Sequence, residues 1–126
     1  MPAPTFLHAS LLVALGGGIG AWLRFAATRL LQGPAFPWAT LSVNLLGSFA
    51  MGLLAGWLAR HGGEQWRLLL GVGVLGGFTT FSAFSLELVE LVQRGAFGWA
   101  ALYAALSVAG GVLGLIAGLA MARGLA

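Results

Sequence analysis

The chain has 126 residues, 60% hydrophobic and 7% charged, and its formal net charge of +3 comes from six basic and three acidic side chains. Soluble domains carry roughly 25% charged residues, so a chain this poor in charge cannot cover a water-facing surface and reads as a membrane protein. Absence of cysteine excludes disulfides, thiol catalysis and cysteine metal sites, and the scattered arginines form no basic patch for nucleic acid.

The first charge-free run covers residues 6–23 and ends at Arg24, with its helix extending toward Leu31. Arg24 and Arg29 follow this run and no basic stretch precedes it, so it is read as a span and not a cleaved signal. "QGPAFP" places Gly33, Pro34 and Pro37 where one helix stops and the next starts. The second run, residues 37–59, carries Thr40, Asn44 and Ser48 at a spacing of four, which puts them on one helix face. A buried amide such as Asn44 wants several partners, so it either bonds another helix or marks a functional path. "RHGGEQWR" turns the chain at Gly62 and Gly63, with Glu64 near a helix start, where the dipole favours an acid.

The third run, residues 68–86, is "LLLGVGVLGGFTTFSAFSL". Gly71, Gly73, Gly76 and Gly77 weaken the helix just before a polar cluster. Unwound backbone in a membrane must be buried in protein or line water. Its freed carbonyls suit a cation; the alternative is a kink satisfied by the Thr79 and Thr80 hydroxyls. Phe81 and Phe84 lie three apart on neighbouring faces, with Ser82 and Ser85 one step on. Their rings are either core and lipid-facing bulk or anion ligands acting through positive ring edges, and weak binding of that kind suits conduction. Glu87 and Glu90 close the span, with Arg24 a candidate counter-charge for one of them.

After "QRGAFGW" the fourth run covers residues 96–122, where Tyr103 and Ser107 share a face whose next step is Gly111. Each run reaches the roughly 18–20 residues that cross about 30 Å of hydrocarbon. The tryptophans fall mostly near span ends, as an interfacial belt does. The expected fold is therefore all-α and integral to the membrane, one unit over residues 1–126 with four transmembrane helices.

Orientation is left balanced. Arg60, Arg67 and Arg123 fall on one side, Arg29 and Arg94 on the other, with Arg24 toward that second side. Such a tally is either counting noise or the mark of a chain that inserts both ways, which permits an antiparallel homodimer. Gly16 and Gly20, Gly52 and Gly56, and Gly110, Gly114 and Gly118 repeat at intervals of four. These faces allow close helix approach, within one chain or between chains.

"GGFTTFSAFSLE", residues 76–87, resembles the signature of the Fluc/CrcB fluoride channels, and "GGGIGAWLR", "TLSVNLLG" and "FGWA" resemble the same family in the right order along the chain. The resemblance implies an antiparallel, dual-topology homodimer with a broken third helix, and two fluoride pores along the dimer interface. It implies a central structural sodium ion held by the backbone carbonyls of Gly76 and Thr79. It assigns the pore to Phe81, Phe84, Asn44, Thr80, Ser82, Tyr103 and Ser107, with Arg24 and Glu87 in support. The implied function is passive fluoride export across the inner membrane of a prokaryote, with fluoride, lipid and a second copy as partners. Three positions depart from the family pattern. Gly111 stands where a serine commonly continues the polar track, Phe78 where a leucine is common, and Ala83 where a small polar residue is found.

Two other classes compete with this reading. Small dimeric multidrug exporters also have four spans, but rely on an acid in the first helix, and residues 6–31 contain none. A structural membrane subunit would explain the glycine faces alone. No catalytic residue is expected, since His8 and His61 stand apart from any serine or acid constellation.

Overall fold

Lipid offers no hydrogen bonds, so a chain crosses it only by closing its backbone on itself. A computed structural model describes residues 2–124, and every regular element there is helical. Four helices are long and apolar enough to span: Phe6–Leu30, Trp38–His61, Glu64–Gln93 and Phe97–Gly124. The chain is a multi-pass membrane protein. The third span outruns its charge-free run at both ends, keeping Glu64, Arg67, Glu87 and Glu90 helical. Charge limits what lies in hydrocarbon, not where helix stops, because a charged side chain can reach outward from a helix end.

The ends are set by local chemistry. Thr5 Oγ1 accepts from the His8 N–H at 3.3 Å and caps the first span. Gly62 (φ 65°), Gly63 (φ 104°) and Gly95 (φ 75°) take left-handed conformations that reverse the chain between spans. Arg67 donates to both Glu64 oxygens, at 2.8 and 2.6 Å, closing the first turn of the third span. Both side chains are exposed, so the pair orients more than it stabilises. Arg60 donates to the Arg123 carbonyl at 2.6 Å and ties the second span to the fourth at their C-terminal ends.

Glycine decides which spans touch. The first span packs on the first half of the third, and the second span on the fourth. A Cβ built on Gly16 would overlap the Leu69 carbonyl oxygen, and one on Gly20 the Val74 carbonyl oxygen. Gly77 meets the Gly17 carbonyl in the same way, Gly52 the Leu115 carbonyl and Gly118 the Phe49 carbonyl. These repeats are packing faces within the chain.

The glycines of the third span do not unwind it, contrary to the expectation from sequence. Arg67–Leu75 winds as a π-helix, with Gly71 and Gly73 buried. Gly76 keeps helical dihedrals (φ −61°, ψ −40°) and Gly76–Phe78 is α-helical. Low glycine propensity reflects competition from water and from backbone freedom; lipid removes the first, and tight packing on the first span removes the second. The interruption comes two residues later. Thr79 (φ −86°, ψ 156°) and Thr80 (φ −150°, ψ 123°) are extended, and the helix restarts as Phe81–Gln93.

A small core fills one end of the bundle. Phe36, Leu41, Phe84, Leu91, Ala100 and Tyr103 are buried together. Phe36 comes from the loop before the second span and is only 4% exposed. Its ring lies 5.3 Å from that of Tyr103 and 5.5 Å from that of Trp99.

Candidate functional site

The interruption is made by a side chain 36 residues away. Asn44 Nδ2 donates to the Thr80 carbonyl at 2.9 Å, and the Thr80 N–H donates to Asn44 Oδ1 at 2.7 Å. The amide thus pairs with Thr80 as a neighbouring peptide group would. Thr80 Oγ1 accepts from the Ala83 N–H at 3.2 Å, capping the helix that restarts, and lies 3.3 Å from Ser82 Oγ. Ala83 needs only its backbone for this, so loss of a polar side chain there leaves the cap intact.

Those two side-chain bonds have a consequence for the backbone. In an α-helix each carbonyl accepts from the N–H four residues on. The Thr80 N–H would serve Gly76 and the Ala83 N–H would serve Thr79, but both are taken by side chains. The Gly76 and Thr79 carbonyls therefore lose their helical donors. The Gly77 carbonyl accepts from Arg24 Nε at 3.1 Å, and the Thr79 hydroxyl donates to the Leu75 carbonyl at 2.9 Å. Gly76 sits on an exposed side of the subunit, Thr79 is half-buried, and Phe78 flanks them beside Gly47. Carbonyl oxygens without their helical donors are the acceptor type that a hard monovalent cation takes, and the Arg24 guanidinium lies on the Gly77 carbonyl beside them.

Arg24 is not the counter-charge of Glu87 or Glu90. Its guanidinium goes to the Gly77 carbonyl, and Glu87 Oε1 instead accepts from Thr40 Oγ1 at 2.6 Å. Spacing could not separate these outcomes, because it does not show which acceptor the packed helices bring within reach of the guanidinium. Thr40 is a partner that the sequence reading missed. Its position one turn before Asn44, on the same face, was the available signal.

The two phenylalanines have different fates. Phe84 is 8% exposed and its ring stands 5.0 Å from that of Tyr103, edge toward face at 65°. Phe81 is 78% exposed, its ring 5.7 Å from that of Phe84. Phe81 and Ser82 point away from the subunit, while Phe84, Tyr103, Asn44 and Thr80 gather inside it. Tyr103 OH and Ser107 Oγ are buried without a hydrogen-bond partner. Buried hydroxyls are nearly always bonded, so two unfilled donors one helical turn apart form a place for something to bind.

Cavities connect these groups. One of about 310 Å³ is lined by Arg24, Thr28, Thr40, Thr80, Ala83 and Glu87, among others. On the far side of Thr80 a second, of about 320 Å³, is lined by Asn44, Ser48, Thr79, Thr80, Phe81, Phe84 and Ser107. An apolar groove follows, sharing Ser48, Ser107, Val108 and Leu115 and running past Gly111 to Ile116. Open space thus runs along the bundle, with Thr80 between its first two parts and an apolar stretch beyond Ser48 and Ser107.

Known proteins are similar along nearly all of this length. The family model described as "CrcB-like protein, Camphor Resistance (CrcB)" matches residues 11–119. A protein of Novosphingobium aromaticivorans named "Fluoride-specific ion channel FluC" is 64% identical over 126 residues, covering 95% of this chain and 100% of the relative. Proteins of the same name from Erythrobacter litoralis and Phenylobacterium zucineum are each 53% identical, and each match covers 93% of this chain. It covers 93% of the former relative and 97% of the latter.

Proposed function

The chain belongs to the CrcB family, and from that premise we propose that it is a fluoride-selective channel that lets fluoride leave a prokaryotic cell passively. Relatives at 64% and 53% identity bear the name of fluoride-specific channels. The buried, unpartnered hydroxyl of Ser107, which lines the cavity beside Phe84, is what carries this reading to the residues, with the unpartnered Tyr103 hydroxyl one turn before it. Fluoride is a small, strongly hydrated anion, and leaving water requires replacement donors. Hydroxyls and ring edges supply them without a full positive charge, so binding stays weak enough for release. Thr80, Ser82, Asn44, Phe81 and Phe84 are proposed to continue that path, with Arg24 and Glu87 supporting its end beyond Thr80.

Passive exit suits the chemistry. Hydrogen fluoride crosses lipid when neutral and ionises in a more alkaline cytoplasm. The trapped anion is driven out by a negative-inside potential, at about 2.3 kcal/mol per 100 mV. Liposomes loaded with potassium fluoride and made permeable to potassium should release fluoride through the purified protein, while chloride-loaded liposomes stay closed. Phe84→Ile should slow that release about tenfold or more, since a buried ring edge facing the path is lost. A folded protein with no fluoride release would reject the channel reading.

Assembly is the second part of the proposal. Free carbonyls on an exposed side at membrane depth, beside an exposed Phe81, are tolerated in lipid only when protein covers them. A second copy in the opposite orientation would cover them, and a structural sodium ion held by Gly76 and Thr79 of both copies would satisfy them. Two pores would then line the shared interface. The chain lacks cysteine, so Gly124→Cys introduces a single label at a position with open space around it. An impermeant thiol reagent should reach about half the copies in sealed vesicles, as equal insertion both ways requires. Replacing sodium by a large organic cation should lower the dimer fraction. Labelling of all copies or none, with a dimer indifferent to sodium, would discard this assembly.

A further inference from the structure

Hydroxyls inside these helices are mostly occupied. Ser10, Thr28, Thr79 and Ser85 each donate to the carbonyl four residues back, at 2.7 to 2.9 Å. Ser48 is half-buried and makes no such bond, and among the described residues its hydroxyl has no hydrogen-bond partner. It lines both the cavity beside Phe84 and the groove beyond, each time together with Ser107. Directly across from it the fourth span has Gly111, and a Cβ built there would lie 3.5 Å from Ser48 Oγ. The face carrying Tyr103 and Ser107 thus runs out of donors at Gly111, where the second span brings one in.

We propose that Ser48 binds the permeating anion, supplying from the second span the hydrogen-bond donor that Gly111 leaves out of the fourth. The ligand is a small, hard anion accepting from the free O–H, passed between Ser107 and Ser48, which line the same space from two spans. Ser48 stands one turn beyond Asn44 on the same face, so the second span contributes the structural amide and the donor from adjacent turns. A methyl on Gly111 would meet Ser48 at ordinary contact distance, so a serine fits there and can return the donor to the fourth span.

This assignment rests on the fluoride-channel reading, and one series of reconstituted full-length proteins separates the two. Wild type must first release fluoride; if it does not, the channel reading itself falls, and Ser48 with it. Given that release, Ser48→Ala should slow it about tenfold, as expected for loss of one hydrogen bond to an ion. Ser48→Cys fills the position with a slightly larger side chain that is a poorer donor, and should slow release as well, which loss of packing at Ser48 would not cause. The double variant Ser48→Ala with Gly111→Ser should recover most of the wild-type rate, because the hydroxyl is restored from the opposite wall. Release by both single variants within about twofold of wild type, less than one hydrogen bond to an ion implies, would overturn the assignment. So would a double variant as slow as Ser48→Ala.

Discussion

Asn44→Ala is expected to abolish fluoride release and, at the same time, to destabilise the fold. The side-chain amide satisfies the Thr80 N–H and C=O together, at 2.7 and 2.9 Å. Alanine leaves both without a protein partner inside the span. Each buried orphan costs about 1–3 kcal/mol. The third span would then either reclaim its helical ladder, bonding Thr80 back to Gly76, or stay broken at that cost. The first outcome removes a free carbonyl from the proposed sodium site; the second lowers stability. A residue that only touches the anion would lose flux and keep its thermal midpoint. Joint loss, measured as fluoride efflux and as the fraction of monodisperse protein surviving heating in detergent, is the expected pattern. An alanine variant with wild-type thermal behaviour would mean that the break is held by something other than Asn44.

Gly20→Val is expected to be the most damaging single change to the bundle. A Cβ there overlaps the Val74 carbonyl oxygen and comes within 2.8 Å of the Phe78 nitrogen. Backbone cannot rotate away as a side chain can, so the first span must shift off the third. That shift also withdraws Arg24 from the Gly77 carbonyl, a bond of 3.1 Å made one turn further along the same helix. Overpacking of this kind costs at least about 1–3 kcal/mol, and a branched side chain on a backbone contact belongs at the upper end. Gly18 is two residues away, and a Cβ there meets nothing within 4 Å. Gly18→Val should therefore fold normally and serve as the matched control in the same detergent-stability assay. Equal yields from the two variants would show that the first and third spans do not pack through Gly20.

The interruption of the third span illustrates what a sequence can and cannot reveal. The stretch from Gly71 to Gly77 has the composition of a weak helix, and the expectation that it would open there follows from propensities measured in water. In the folded chain those glycines are contact points for the first span, and the extended residues are Thr79 and Thr80. Neither threonine is a strong breaker. They open because Asn44 offers a better partner than the ladder does. Likewise Arg24 and Glu87 were natural partners by charge, yet each bonds a neutral group, the Gly77 carbonyl and the Thr40 hydroxyl.

The sequence by itself determined the four spans, the turn glycines between them and the family. Hydrocarbon thickness sets the length of an apolar run, a left-handed turn calls for glycine, and an ordered set of motifs needs no coordinates to be recognised. Tertiary structure alone decided which glycines press on a neighbour, which carbonyls lose their donors, and that Phe84 turns inward while Phe81 turns out. It also decided that Ser48 and Ser107 line one cavity from two different spans, and that the Tyr103 and Ser107 hydroxyls are buried without a partner. These outcomes depend on competition for hydrogen bonds between residues far apart in the chain, such as Asn44 and Thr80 at a separation of 36. Such a competition is settled only when the helices meet.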